Sequence, residues 1–133
     1  MTEATRIRFA RAFALAAGLA DFATGVSLVA LPDVTLGLMR VGPVGPEAQV
    51  FLRFVGVFVG CVGASYLAAL AARRLDRLWA VFRITTLFRL AAGAFVAAMV
   101  AAGRLDWPWL SVTATDWTIA AVQLWLLARE PRA

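Results

Sequence analysis

The chain has 133 residues, 62% of them hydrophobic, with a net charge of +5 and no histidine. Soluble domains average roughly 45 to 50% apolar, so this composition, with a mean hydropathy of +0.82, predicts an integral membrane protein. The length leaves room for about four spans of roughly 20 residues each and for no separate soluble domain.

Several chemistries are excluded by absence. Without histidine there is no bis-His haem ligation, no His-based zinc site and no His general base. Cys61 is the only cysteine, which removes a disulfide relay and a Cys-rich metal site, and its Gly60 and Val62 neighbours predict a small packing residue. GxSxG, HExxH and P-loop spacings do not occur, so no catalytic or metal-binding motif points to an enzyme.

Four apolar stretches follow in chain order, at about 9–31, 50–72, 78–102 and 107–127. They predict an all-α protein, a single-domain bundle of four transmembrane helices. The first begins after Arg6 and Arg8 and ends at Pro32 and Asp33. Its basic start resembles a signal peptide, but Asp21 interrupts the apolar run and no small-x-small cleavage site precedes Pro32. The first span is therefore expected to be retained.

The 32–47 segment is the longest outside the spans. Val34, Leu36, Leu38 and Met39 suit a short interfacial segment, although a plain connector is the simpler reading. Gly42, Pro43, Gly45 and Pro46 open the second span, since proline is tolerated in a first helical turn. Arg73, Arg74, Asp76 and Arg77 break the second span from the third. Gly103 to Asp106 break the third from the fourth, with Asp106 as N-cap and Pro108 in the first turn.

Arginine placement orients these spans, because short cytoplasmic segments retain positive charge. Arg6, Arg8, Arg11, Arg73, Arg74, Arg77, Arg129 and Arg132 fall on one side, against Arg40 and Arg104 on the other. Both termini are thus predicted to be cytoplasmic. Trp79, Trp107, Trp109 and Trp125 fall near span ends, as interfacial anchors do, while Trp117 lies deeper, facing lipid or a cavity.

The basic excess flanks the spans and suits anionic headgroups rather than nucleic acid. All thirteen basic residues are arginine, which with the abundant alanine points to a GC-rich bacterial genome and hence a bacterial cytoplasmic membrane.

Charges inside the spans carry the functional information, because an ionisable residue at that depth is expensive. At 1.5 Å per residue, Asp21 and Arg89 fall about 15 Å from the cytoplasmic boundary and Asp116 about 13 Å from the outer one. Arg53 lies about 6 Å inside the outer boundary and Arg83 about 8 Å inside the cytoplasmic one, both within reach of an interface. Helical spacing groups Asp21 with Ala14, Ala17, Gly18, Thr24 and Gly25, and Arg53 with Gly56, Gly60 and Gly63. Likewise Arg89 shares a face with Thr85, Thr86, Ala92 and Gly93, and Asp116 with Thr113, Ala120 and Gln123.

Each span thus directs one small or polar face inward. Matching by depth pairs Asp21 with Arg89 and Asp116 with Arg53, a balanced set with Thr24, Thr86, Thr113 and Gln123 as secondary polar lining. Gly56 and Gly60 have GxxxG spacing, and since four spans already supply partners, packing within the chain is favoured over dimerisation. The first and third spans also align loosely, AspPheAlaThrGly (21–25) with ArgLeuAlaAlaGly (89–93), as a parallel two-plus-two repeat would require.

The first span closing on ValAlaLeuPro (29–32), the second opening PheLeuArgPheValGly (51–56) and the third carrying ArgLeuAlaAlaGly (89–93) together resemble the DoxX-like group of small four-span bacterial membrane proteins. That resemblance implies a four-helix membrane bundle, with Arg53 and Arg89 as the arginines of the group's pattern and, for some members, association with quinone-linked redox complexes.

Three functions follow from the residues. One is a binding or accessory subunit of a membrane complex, holding a small amphipathic ligand such as a quinone through Arg89 or Arg53. Another is an oligomeric transporter working through Asp21 or Asp116, disfavoured by arginines that keep those acids ionised. The third is a structural bundle whose salt bridges fix helix register. Expected partners are the lipid bilayer and a membrane protein or further copies of this chain.

Overall fold

A computed structural model describes residues 1–130, and all regular structure among them is helical. Its elements are α1 (Glu3–Ala30), α2 (Pro32–Leu38), α3 (Pro46–Ala71), α4 (Leu75–Ala101), a 3-10 turn (Trp107–Trp109) and α5 (Leu110–Leu127). The turn and α5 form one continuous span. Four helices are therefore long and apolar enough to cross a membrane, and the chain is a multi-pass membrane protein.

The helices start earlier than the apolar runs, because a helix continues beyond the hydrocarbon wherever its termini can be capped. At 28 residues α1 is about 42 Å long, against a hydrocarbon core of about 30 Å. The Thr2 side chain accepts from the Thr5 amide, and Glu3 occupies the first turn, favourably placed at the helix N-terminus. Pro32 disfavours helical geometry at Leu31, which ends α1, and Pro32 then opens α2 itself.

The chain divides into two compact units at Arg74. The first is a hairpin of α1 and α3 with α2 between them. Its core is a seam of glycines where the backbones meet. A Cβ added at Gly25 would lie 2.4 Å from the Gly60 nitrogen and 2.6 Å from the Gly56 carbonyl oxygen, and one added at Gly63 2.4 Å from the Phe22 nitrogen. Gly56 and Gly60 thus serve packing within the chain, as their spacing predicted.

The favoured reading of 32–47 as a plain connector is corrected by α2. Pro32, Thr35 and Leu36 are buried, and the Thr35 hydroxyl bonds the Ser27 hydroxyl and donates to the Leu31 carbonyl. Gln49 of α3 donates to Asp33 at 2.7 Å. The segment stops in a Schellman-type cap, with Val41 N–H on the Leu36 carbonyl, Arg40 N–H on the Gly37 carbonyl and Arg40 at φ 59°. Polar side chains at three points, Ser27, Asp33 and Thr35, made this tie, and hydropathy alone does not register them.

The second unit is a hairpin of α4 and α5, joined through the 3-10 turn. Gly103 ends α4 at φ +67°, with its amide on the Val100 carbonyl and that of Arg104 on the Met99 carbonyl, the left-handed cap that glycine adopts without strain. Asp106 occupies the N-cap of the turn as predicted, though its side chain makes no capping bond. Outward faces in both units are apolar: Phe51, Phe54 and Phe58 of α3 and Leu87 and Phe95 of α4 are all exposed, the surface a bilayer solvates.

Two placements differ from expectation. Cys61 is exposed rather than packed, because α3 turns Gly56, Gly60 and Gly63 towards α1 and Cys61 away. Trp79 is 4% exposed and stands edge-on to Phe82 at 5.7 Å, since α4 continues back to Leu75 and leaves this ring inside the helix instead of at its mouth. Trp107, by contrast, is 71% exposed.

Gly25→Ala should destabilise the first hairpin by about 1–3 kcal/mol, the usual cost of overpacking, and Gly37→Ala, which meets nothing within 4 Å, should not. Thermal unfolding of detergent-purified protein checks the contrast.

Candidate functional site

The polar residues of the second hairpin fall on facing stripes. Thr113, Asp116, Ala120 and Gln123 recur at three- and four-residue spacing along α5, and Thr85, Thr86, Arg89 and Gly93 do so along α4. A short connection makes the two helices antiparallel neighbours, so these stripes meet. From Thr113 to Gln123 the seam runs about 15 Å along the axis.

At its centre Arg89 Nη1 donates to Asp116 Oδ1 at 2.7 Å, with the side chains 6% and 17% exposed. Towards the α4 N-terminus, Gln123 is completely buried. Its Nε2 donates to the Thr85 hydroxyl at 2.8 Å and its Oε1 accepts from the Thr86 hydroxyl at 3.2 Å, while Thr85 donates to the Val81 carbonyl. Towards the other end the Thr113 hydroxyl donates to the Gly93 carbonyl at 3.0 Å. One ion pair is thus bracketed by two sets of neutral hydrogen bonds.

Trp117 completes the seam. Its indole lies over Gly93, where an added Cβ would come within 2.6 Å of the ring, and its Nε1 is 3.5 Å from the Leu90 carbonyl. The outer part of the ring is exposed. Of the two alternatives for this tryptophan, the outward one describes its free edge and neither anticipated the glycine beneath it.

Asp116 takes Arg89, on the helix next to it, and the Arg53 side chain donates to the Val29 carbonyl near the end of α1. Helix C-termini leave carbonyls without intrahelical partners, and an arginine close to the interface meets that need locally. Arg83 likewise finds an interfacial partner, Glu130. Asp21 stands half-buried on α1 in the first unit.

Of the secondary residues, Thr86, Thr113 and Gln123 are buried and bonded, whereas Thr24 is exposed. Thr24 lies beside Gly25 in sequence, but the α1 face that meets α3 is the glycine side. Thr85, which shares the predicted α4 stripe, is a full member of the seam. No family model matches the chain, and neither a curated protein nor a solved structure is detectably similar to it.

Interhelical hydrogen bonds within membranes average about 0.6 kcal/mol and reach about 1.7. Gln123→Leu, which removes two bonds and takes the acceptor from the Thr86 hydroxyl, should therefore cost about 1–2 kcal/mol, and Thr86→Val less. Asp116→Leu should cost more than Asp116→Asn, which still accepts from Arg89. Unfolding of each variant in the same detergent gives the ranking.

Proposed function

We propose that this chain is a small membrane-embedded binding or accessory subunit, and that the Arg89 and Asp116 pair of its second hairpin meets the oxygen of a small amphipathic ligand of the quinone class. The observation that carries this reading is a buried guanidinium oriented by a carboxylate at 2.7 Å, within a helix apolar enough to cross the bilayer. Intramembrane arginines mark functional positions by default. The planar guanidinium presents N–H donors in a fixed fork, the complement of a carbonyl oxygen. Trp117, over Gly93 on the same seam, supplies an aromatic surface for a flat ring.

The resemblance to the DoxX-like group through 29–32, 51–56 and 89–93 supports the same reading, since some of that group accompany quinone-linked redox complexes. The arginine distribution supports both termini on the cytoplasmic side of a bacterial inner membrane. A transporter working through Asp116 has less support, because Arg89 already balances that carboxylate.

A second reading, in which the pair only fixes register, is favoured by the satisfied bonds of Gln123, Thr86 and Thr113 around it. Photolabelling by an azidoquinone in nanodiscs separates the two. Binding predicts label on α4 or α5 and about tenfold weaker competition by unlabelled quinone in Arg89→Gln, equivalent to about 1.4 kcal/mol. Unchanged labelling in Arg89→Gln would sink the binding reading. Loss of label in an Arg89→Gln, Asp116→Asn protein that keeps its melting temperature would sink the register reading.

A further inference from the structure

Helix α1 buries one face, that of Ala10, Ala14, Ala17, Gly18 and Gly25, and the opposite face carries a pattern of its own. Arg8, Arg11, Leu15, Leu19, Phe22 and Val26 recur there at three- and four-residue spacing, so they line up as one stripe, and all six are exposed. The stripe has a charged part and an apolar part. Two guanidiniums stand one turn apart at its start. Apolar side chains continue from them, and from Leu15 to Val26 they run about 16 Å along the axis. That is the depth of one leaflet, half of a hydrocarbon core of about 30 Å.

The two charges are poorly served within the chain. Positions three and four residues from Arg8 hold Ala4, Thr5, Arg11 and Ala12, and those around Arg11 hold Ile7, Arg8, Ala14 and Leu15. No carboxylate stands where the helix could pair it, and Glu3, the acid of the first turn, lies off this stripe. Each arginine instead has the other as its neighbour, a like-charge pair that destabilises a helix, towards the positive end of the helix dipole. Among the described residues neither guanidinium makes a hydrogen bond or an ion pair. By contrast Arg53 donates to the Val29 carbonyl, Arg83 pairs with Glu130 and Arg89 with Asp116.

We infer that this face of α1 binds an anionic phospholipid, its phosphodiester held by the Arg8 and Arg11 guanidiniums and an acyl chain following Leu15, Leu19, Phe22 and Val26. A guanidinium is a donor fork that takes two phosphate oxygens at once. Two of them one turn apart favour a headgroup of net negative charge over a zwitterionic one, whose own cation they repel. A free phosphate or an acidic protein segment would use the guanidiniums and leave the apolar stripe idle, whereas a phospholipid matches both parts in order. The leaflet concerned is the one that holds the start of α1, so the site is independent of the chain's orientation. It shares no residue with the Arg89 and Asp116 pair and does not depend on quinone binding.

Native mass spectrometry of the detergent-purified protein, titrated with phosphatidylglycerol and with phosphatidylcholine, tests the site. Arg8→Gln and Arg11→Gln should each weaken phosphatidylglycerol binding about fivefold, and together about twenty-five-fold, at the usual gain per basic side chain, with phosphatidylcholine binding unchanged. Arg40→Gln, the same loss of charge at the other end of the hairpin, should leave both unchanged. Equal loss in Arg40→Gln, or equal affinity of the parent for the two lipids, overturns the inference. Phosphatidylglycerol with a photoreactive group midway along its acyl chain should label α1 between Leu15 and Val26 and lose that label in the double variant; label confined to other helices overturns the inference too. So does a dimer in the parent spectra that Leu19→Trp abolishes, since it assigns the face to a second copy. Detergent-solubilised protein has no inside or outside, so a role of these arginines in orienting the chain during insertion moves none of these readouts.

Discussion

A polar group carried into a lipid bilayer has no water to bond, so whatever a helix brings into the hydrocarbon must be satisfied by its own backbone or by a neighbouring helix. Both hairpins answer that constraint, in opposite ways. Along the seam of α1 with α3, side chains are removed: Gly18, Gly25, Gly56 and Gly63 bring two backbones together, and dispersion across that contact supplies attraction. Along α4 and α5, side chains are kept and matched: threonines and Gln123 flank one ion pair. The first solution tolerates no added methyl group, and the second tolerates no unmatched donor.

Span count and inward faces were legible because they rest on period and hydropathy, which any single helix displays. Pairing was less so. Depth is one coordinate, and it does not show which charges face each other within one hairpin. The short 102–106 connection forces α4 beside α5, which places Arg89 opposite Asp116. Weighing chain adjacency before depth would have found the pair. The Arg53 contact was not legible either: the acceptor it meets is a helix-end carbonyl, that of Val29, and backbone acceptors do not show in a list of charges.

Helix α2 marks a limit of a different kind. Residues 32–41 have neither the length nor the hydropathy of a span, and their order comes from Thr35 on Ser27 and Asp33 on Gln49. Such ties become visible only when two elements are already side by side. Thr24 is the converse case, a threonine on the right helix and near the right depth that turns away, because the glycines of α1 and not its polar residues choose which face meets α3.

The contrast between the hairpins bears on where function resides. Selection for packing alone would favour the cheaper solution in both hairpins, since glycine contacts carry no desolvation penalty whereas a buried ion pair does. The second hairpin nevertheless carries Arg89, Asp116 and the residues around them. A register device needs only to be specific, and the glycine seam already is. A costly pair beside a cheaper packing in the same chain therefore supports the proposed role beyond register, for which Arg89, held by Asp116, is the residue to test.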